Sequence, residues 1–349
     1  MAATLRGPRR ALPEETLVRA NGVDLCVQTF GDPVDPAILL IHGAMTSMLG
    51  WEDAFCQRLE AGDRFVIRYD HRDTGRSVSY PPGKPPYSLR DLTADTIGVL
   101  DALGVDAAHL VGMSMGGGIA MLAGLDWPDR VASLTLIGTS PGGPDLPPMS
   151  PEFLAHVSGA EPPDWSDAEA VVDHMLDLLR LMSANSGYFE ESRMRDALRL
   201  DLARTVNVPS SRINHFAMDI GDPIRDRLGA ITAPTLVIHG DCDPVFPSAT
   251  PKPWFRWSPA RGCWFWSEPA MSCHPRSGTA SFPPFSISRR GAPVGDLGSD
   301  PANICPVRTP PVYSRRIVSR RVVDLPLARS TRRRAPRTIV GGRAGRSHE

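Results

Sequence analysis

Ala107-Ala-His-Leu-Val-Gly-Met-Ser-Met-Gly116 is the stretch that dictates the architecture of this chain. Its first half is an apolar run typical of a buried strand, and its second half is a Gly-x-Ser-x-Gly motif. Small apolar residues follow over 117–124 and suit a helix packed tightly on a sheet. A sharp turn between such a strand and such a helix presents a strained, exposed hydroxyl. The stretch favours Ser114 as a nucleophile over an ordinary glycine-rich turn.

Apolar runs and helical patterns alternate on both sides of this stretch. The hairpin signal Asn21-Gly22 precedes them, and a near capping box of Ser88 and Asp91 opens one helix. The predicted strands are 16–20, 23–29, 37–41, 65–69, 109–111, 131–137 and 235–238, and the predicted helices include 51–59 and 89–103. Such alternation predicts a mostly parallel central sheet with helices on both faces. Ligands of such sheets bind at the carboxyl ends of the strands.

Residues 141–228 interrupt the alternation and predict a helical cap, with helices over 168–181 and 194–205. The core is then formed by residues 14–140 and 229–247, after a disordered extension over 1–13. Several large cap residues are either pocket lining or, as we prefer, ordinary cap core: Met175, Met182, Tyr188, Phe189 and Phe216.

Two further strand ends carry residues that suit a serine nucleophile. Ile238-His-Gly-Asp-Cys-Asp-Pro244 predicts that Asp243 lies in the loop beside the Ser-bearing strand, where a carboxylate orients a histidine. Asp241 is the competitor, but its earlier position favours a role in the turn. At His42-Gly-Ala-Met45, the amide of Ala44 and the amide of Met115 are the predicted oxyanion donors. His42 itself is interpreted as a structural hydrogen-bonding residue.

These motifs, together with Tyr69-Asp-His-Arg-Asp-Thr-Gly-Arg-Ser77, resemble the α/β-hydrolase superfamily over residues 14–247. The likeness is greatest to bacterial esterases of the aclacinomycin methylesterase type. The resemblance implies an α/β-hydrolase fold, Ser114 as nucleophile, Asp243 as the acid of a catalytic triad, and an oxyanion hole at Ala44 and Met115. It also implies a general base in a Gly-x-Gly-His turn that follows one more strand.

The chain has no such turn after Asp243, so the general base stays unassigned. His274 lies 31 residues beyond Asp243, within Cys-His-Pro in a proline-rich segment, and is a weak candidate. The chain as it stands is therefore expected to lack the triad histidine, the last strand and the last helix. Losing a triad histidine can cost about 10⁶ in turnover.

Composition changes sharply after residue 247. Residues 1–247 hold 20 basic and 34 acidic residues, whereas residues 248–349 hold 18 and 5, with 14 of the 35 Pro and four of the seven Trp. One interpretation is a disordered, basic, nucleic-acid-binding tail. The simpler one is a segment translated out of frame, because two Lys against 36 Arg imply GC-rich codons.

The codons themselves allow this second interpretation to be examined. In the shifted frame, each codon consists of the third base of one codon and the first two bases of the following codon. This frame forces Val at Trp254-Phe255 and Leu-Val-Leu over Cys263-Trp-Phe-Trp266. A permitted reading from Gly262 is Leu-Leu-Val-Leu-Val-Gly-Ala-Gly-His-Glu-Leu-Pro, which supplies the missing strand and the missing histidine. We therefore interpret 248–349 as a frameshifted, disordered tail rich in Pro and Arg.

The remaining features exclude several classes of protein. The six Cys are scattered without metal-ligand spacing, which indicates neither a zinc site nor a disulfide framework and fits the cytoplasm. No apolar run approaches the roughly 20 residues of a membrane span. We expect a serine hydrolase without metal or cofactor that cleaves a carboxylic ester, possibly a methyl ester, of a small molecule. The alternatives are a cofactor-free perhydrolase or an inactive binding protein.

Overall fold

The computed structural model describes residues 13–143, 146–183, 189–240 and 242–247, together with the backbone of Trp264–Trp266. Its strands form one sheet in the order β1-β2-β4-β3-β5-β6-β7-β8. They are β1 (Thr16–Ala20), β2 (Val23–Phe30), β3 (Ala37–Ile41), β4 (Phe65–Tyr69), β5 (Ala108–Met113), β6 (Val131–Ile137), β7 (Thr235–Ile238) and β8 (Trp264–Trp266). The pairs β1/β2 and β2/β4 are antiparallel and the other pairs are parallel. The predicted mostly parallel α/β sheet is confirmed.

Helices cover both faces of the sheet. The described helices of the chain are α1 (Asp53–Glu60), α2 (Leu89–Ala102), α3 (Met115–Asp126), α4 (Pro151–Gly159), α5 (Ala168–Met182), α6 (Glu191–Arg204) and α7 (Val208–Ala217). On one face α2 and α3 contribute Leu92 and Ile119 to the main core. On the other face Cys56 of α1 packs with Leu40 and Val66. Both layers bury the apolar strands between them, as the continuous apolar runs predict.

Local sequence signals account for the ends of several elements. Asn21 and Gly22 have φ angles of 45° and 76°, the left-handed pair that closes the β1/β2 hairpin. Ser88 and Asp91 form a complete capping box at the start of α2. The observed strands β3, β4, β6 and β7 have the predicted bounds.

The expectation that no strand follows β7 is wrong. Trp264–Trp266 forms β8, which pairs in parallel with β7 from Leu236↔Trp264 to Ile238↔Trp266. The physical reason is that the outer edge of β7 offers unpaired peptide groups to a run of residues with high strand propensity. The rest of the expected irregular tail, like residues 1–12, lies outside the described residues.

The insert between β6 and β7 consists of α4 to α7, of which α5 and α6 were predicted and α4 and α7 were missed. Met175 is buried in the core of the insert and Phe189 packs against that core, as expected. Met182 and Phe216 are exposed by 41% and 70%, so their assignment to a cap core is wrong. Tyr188 lies outside the described residues. None of the described helices is long and apolar enough to cross a membrane.

Candidate active site

Ser114 stands at the turn between β5 and α3 with φ 51° and ψ −119°, a backbone conformation that is unfavourable for a residue with a side chain. Its amide donates to the Ile137 carbonyl at 3.0 Å, and the Thr139 hydroxyl donates to the Ser114 carbonyl at 2.7 Å. These bonds hold the strained turn to the end of β6. The sharp turn predicted from the Gly-x-Ser-x-Gly motif is therefore present.

The glycines around Ser114 allow backbones to approach where no side chain would fit. A Cβ at Gly112 would lie 2.2 Å from the Gly116 carbonyl oxygen, and a Cβ at Gly116 would lie 2.2 Å from the Ile41 carbonyl oxygen. Such contacts are far inside van der Waals distance. The motif thus needs these two glycines because strand, turn and helix cross at one point.

The loop after β3 brings backbone amides to the same place. A Cβ at Gly43 would lie 3.2 Å from Ser114 Cβ and 3.7 Å from Ser114 Oγ, so this loop runs directly beside the hydroxyl. The Gly43 amide donates to His42 Nδ1 at 2.8 Å, and the Met45 amide donates to His215 Nδ1 at 3.1 Å. Among the described residues, the Ala44 amide has no hydrogen-bond acceptor.

The Met115 amide, like that of Ala44, has no hydrogen-bond acceptor among the described residues. Met115 is the first residue of α3, where helical amides have no partner within the helix, and Ser114 provides no side-chain cap. No described residue accepts a hydrogen bond from it. The amide of Met115, adjacent to Ser114, and that of Ala44, in the loop beside it, are therefore without an acceptor among the described residues, while the Gly43 and Met45 amides are already bonded. An oxyanion hole requires free amides next to the nucleophile.

His42 is half-buried behind this loop. Its ring lies edge-on to Trp51 at 5.4 Å between centroids, and its Nδ1 accepts the Gly43 amide. Burial lowers its pKa to about 4, and the neighbouring His71 contributes in the same direction. A neutral ring that accepts a backbone hydrogen bond fits the structural role expected for His42.

Asp243 follows β7, and its carboxylate reaches across the end of β6. The Oδ1 atom accepts the amides of Val245 and Phe246, each at 2.9 Å, which fixes the side chain. A Cβ at Gly138, directly after β6, would lie 3.7 Å from Oδ2. The sequence placed Asp243 beside the Ser-bearing strand, but β6 lies between β5 and β7. Its competitor Asp241 lies outside the described residues.

The Oδ2 atom of Asp243 accepts no hydrogen bond from a described residue. His239 is close, with Nε2 at 3.7 Å, a contact that the sequence analysis did not consider. That Nε2 atom instead donates to the Phe246 carbonyl at 2.7 Å. In the described part of the chain no histidine hydrogen-bonds to the Ser114 hydroxyl. His274, the weak candidate for the base, lies outside that part.

The loop 69–77 builds a buried polar network next to the site. Asp70 accepts both terminal nitrogens of Arg204 from α6, at 3.0 and 2.7 Å. Arg72 forms a bidentate pair with Asp95 at 2.7 Å for each bond. Asp73 accepts the Tyr87 hydroxyl and the Asn214 amide group from α7. The motif therefore connects the sheet to the insert, and sequence reasoning missed the partners on α6 and α7.

The residues that the structure describes contain no group of three or more His, Cys, Asp or Glu side chains arranged to hold a metal ion.

A cavity of about 330 Å³ lies among α5, α6 and α7, lined mainly by apolar residues such as Val171, Leu202 and Val208. Its lining residues do not include Ser114.

Comparison with known proteins agrees with this geometry. The profile of the alpha/beta hydrolase fold family matches residues 36–264. The chain belongs to this family. The α/β-hydrolase predicted from the sequence is thereby confirmed. The match includes the serine turn, the loop after β3 and the loop that carries Asp243.

Individual α/β-hydrolases narrow the comparison. The chain is 34% identical over 250 residues to rhodomycin D methylesterase DauP of Streptomyces sp. strain C5, covering 66% of this chain and 83% of that protein. It is also 34% identical over 251 residues, with the same coverage, to rhodomycin D methylesterase DnrP of Streptomyces peucetius. These two relatives confirm the resemblance to bacterial methylesterases.

A solved structure gives the same fold. The hydrolase from Pseudomonas aeruginosa PA01 superposes with a TM-score of 0.53 at 26% identity. The superposition covers 74% of this chain and 91% of that one. The α/β-hydrolase architecture therefore extends over nearly the whole length of the neighbour.

Proposed function

We propose that this protein is a serine esterase in which Ser114 attacks the carbonyl carbon of a small-molecule ester. The observation that carries the proposal is the strained Ser114 turn flanked by the unpaired amides of Ala44 and Met115. An attacking hydroxyl creates negative charge on the carbonyl oxygen, and two preorganised amides stabilise that charge without reorganising.

The reaction proceeds in two steps. Ser114 Oγ forms a bond to the carbonyl carbon while a general base takes its proton, and the oxyanion collapses to expel the alcohol, which receives that proton. Water then attacks the acyl-enzyme and releases the acid. Asp243 would orient the base through Oδ2, because Oδ1 already accepts two backbone amides.

The substrate class follows from the relatives. Both Streptomyces relatives are methylesterases of rhodomycin D, so we propose a carboxylic methyl ester of an aromatic or polyketide-like molecule as the substrate. The release of an alcohol as small as methanol also requires little space on the leaving-group side of Ser114. Nothing in this chemistry needs a metal or an organic cofactor.

The general base is the component that the described residues do not supply. We propose that the natural reading frame encodes a further strand after β7, followed by a Gly-x-Gly-His turn. The codon for this His overlaps the present codons for Ala270 and Met271. The position of β8 supports this, because the sheet accepts a strand at Trp264–Trp266, where the shifted frame reads Leu-Val-Leu. Without this base, only about 10³ to 10⁴ over the uncatalysed rate is expected to remain.

The decisive experiment measures Ser114-dependent hydrolysis with and without an external base. The full chain is assayed with p-nitrophenyl acetate over a series of imidazole concentrations, and Ser114→Ala supplies the rate due to imidazole alone. We expect a Ser114-dependent rate that rises with imidazole, since imidazole can replace the missing side chain. A labelled fluorophosphonate should attach at Ser114 under the same conditions.

Two comparisons make this test specific. Asp243→Asn should lower the Ser114-dependent rate, whereas Asp241→Asn, the matched control from the same loop, should not. Restoring the reading frame near the codons for Phe246 and Thr250 should raise turnover by several orders of magnitude, up to about 10⁶. A chain that neither hydrolyses the ester nor takes up the label in either frame would be a binding protein instead.

A further inference from the structure

Two side chains of the insert hold the loop of residues 42–45 after β3, here called the oxyanion loop. The Met45 amide donates to His215 Nδ1 at 3.1 Å, and Arg212 Nη1 donates to the Met45 carbonyl at 2.5 Å. Both side chains belong to α7, which is separated from Met45 by more than 160 residues. The peptide groups on both sides of the Met45 Cα are therefore fixed from outside their own loop.

Met45 needs such support because of its backbone conformation. Its φ angle is 66°, in the left-handed region that residues with side chains rarely occupy. In this conformation the Met45 amide turns toward α7, whereas the preceding amide of Ala44 has no acceptor among the described residues. A relaxed Met45 would rotate the Ala44–Met45 peptide group and with it the loop beside Ser114.

His215 is oriented for this contact by its other nitrogen. Nε2 is hydrogen-bonded to the Arg72 carbonyl at 3.0 Å, and since a carbonyl only accepts, Nε2 carries the proton and Nδ1 is the acceptor. The ring lies edge-on to His71 and Tyr87, at 5.8 and 6.4 Å between centroids. Burial lowers its pKa to about 4, which keeps the ring neutral and Nδ1 able to accept.

Arg212 is bonded to Asp201 and to the Met45 carbonyl, but its hydrogen bonding is otherwise incomplete. It pairs with Asp201 at 2.9 Å, and the two side chains are only 4% and 10% exposed. Arg212 Nε and Asp201 Oδ1 nevertheless lack a hydrogen-bond partner among the described residues. Buried atoms without partners weaken the folded state. The specific contact that this pair makes with the loop is the bond to the Met45 carbonyl.

We propose that His215 and Arg212 are positioning residues that hold Met45 in its left-handed conformation and so aim the Ala44 amide at the substrate carbonyl oxygen. This inference rests on the proposed esterase function. It gives α7 a defined task in the reaction: the insert shapes the oxyanion hole directly. Within the described part of the chain, neither side chain hydrogen-bonds to Ser114.

Two substitutions of His215 separate positioning from folding. In His215→Asn the amide oxygen replaces Nδ1 and can still accept the Met45 amide, whereas in His215→Gln the amide nitrogen replaces Nε2 and retains only the bond to Arg72. The full chain and both variants are assayed for Ser114-dependent hydrolysis of p-nitrophenyl acetate in imidazole. Thermal unfolding of each variant is measured in parallel.

We expect His215→Gln to lower kcat at least about tenfold with little change in KM, approaching the 10² to 10³ that follows loss of an oxyanion donor. His215→Asn should retain most of the wild-type kcat, although it loses the bond to Arg72. Equal kcat in both variants, whether unchanged or equally reduced alongside equal losses of Tm, would overturn the inference.

The control with Ser114→Ala distinguishes a failure of the esterase proposal from a failure of the positioning role of α7. If this variant hydrolyses the ester as fast as the wild type, the proposed function fails and the positioning role fails with it. If Ser114→Ala abolishes the rate but the two His215 variants do not differ, the esterase stands and the inference about α7 alone is wrong.

Discussion

Gly43 and Ser114 are packed so closely that a Cβ on residue 43 would lie 3.2 Å from the Cβ of the serine. This separation is tighter than ordinary carbon contacts, yet a shift of a few tenths of an ångström would relieve it. The two residues lie on loops after neighbouring strands, β3 and β5. The distance therefore couples the nucleophile to the loop that carries the Ala44 amide.

Gly43→Ala should impair catalysis far more than folding. The added methyl group pushes the loop a few tenths of an ångström away from Ser114, and a misplacement of about 1 Å can cost about 10² in rate. Because the shift is smaller than that, we expect kcat to fall several-fold, up to about tenfold, with a nearly unchanged Tm. Kinetics in imidazole and thermal unfolding check both parts. An unchanged kcat in a folded variant would contradict the close approach.

Gly116 and Gly118 lie on the same helix and predict opposite effects of alanine. A Cβ at Gly116 would lie 2.2 Å from the Ile41 carbonyl oxygen, whereas at Gly118 the nearest atom is Leu89 Cδ2 at 3.9 Å. Gly116→Ala should lower the free energy of unfolding by at least about 2 kcal/mol, because backbone must move. Gly118→Ala should raise it by about 0.5 to 1 kcal/mol, since alanine favours helix.

Urea denaturation of the two glycine variants provides the measurement. Because both residues lie in the first turn of α3, they share helix propensity and differ in what surrounds them. Equal effects on the free energy of unfolding would mean that helix propensity outweighs the crossing of α3 with β3.

Short-range patterns predicted the sheet well. The Asn21-Gly22 hairpin, the bounds of β6 and β7, and the turn at Ser114 each depend on residues that are neighbours in the sequence. The strand order is different, because it depends on pairing between distant segments. The local sequence therefore predicts Asp243 next to β5, whereas β6 lies between β5 and β7.

Helix α7 could not be predicted from periodicity. Its buried residues include Ser210, Arg212, Asn214 and His215, so it lacks the apolar stripe that marks an amphipathic helix. Its stability comes from hydrogen bonds to the loops after β3 and β4, such as Ser210 to the Tyr80 carbonyl. The residues that we propose to position the oxyanion loop were missed for this reason.

The cytoplasmic location stays a prediction.

Breaking the buried ion pair between Arg204 and Asp70 should strongly destabilise the protein. Their side chains are 6% and 0% exposed, and the carboxylate accepts two bonds from the guanidinium. Arg204→Ala would leave the Asp70 charge buried without its partner, which costs about 3 to 5 kcal/mol of unfolding free energy. Arg199, on the same helix α6, pairs with Glu169 of α5 at 48% exposure, and because water screens this pair Arg199→Ala should cost far less.

Chemical denaturation of these two arginine variants at pH 7 measures the difference. If Arg204→Ala lowers the free energy of unfolding by less than about 1 kcal/mol, water must hydrate Asp70 in place of the arginine. Restoring bulk without charge by Arg204→Met should recover little, because Asp70 would still lack a cation.

Three histidines should make the protein lose stability as the pH falls below neutral. Burial lowers the pKa of His71 to about 3 and that of both His42 and His215 to about 4, against 6.5 for an ordinary side chain. The unfolded chain therefore binds more protons than the folded protein between about pH 6.5 and 4. Stability is complete above this window and decreases within it, by up to about 1.4 kcal/mol per pH unit for each histidine.

His71→Gln isolates one of these contributions. The Gln amide nitrogen can replace Nε2 in the bond to the His42 carbonyl, and the substitution removes Nδ1, which has no partner among the described residues. The variant should fold at pH 7, and the slope of its unfolding free energy against pH should be smaller by up to about 1.4 kcal/mol per unit. Urea denaturation at pH 7, 6 and 5 measures the slopes. Identical slopes in the variant and the wild type would show that the pKa of His71 does not differ between the folded protein and the unfolded chain.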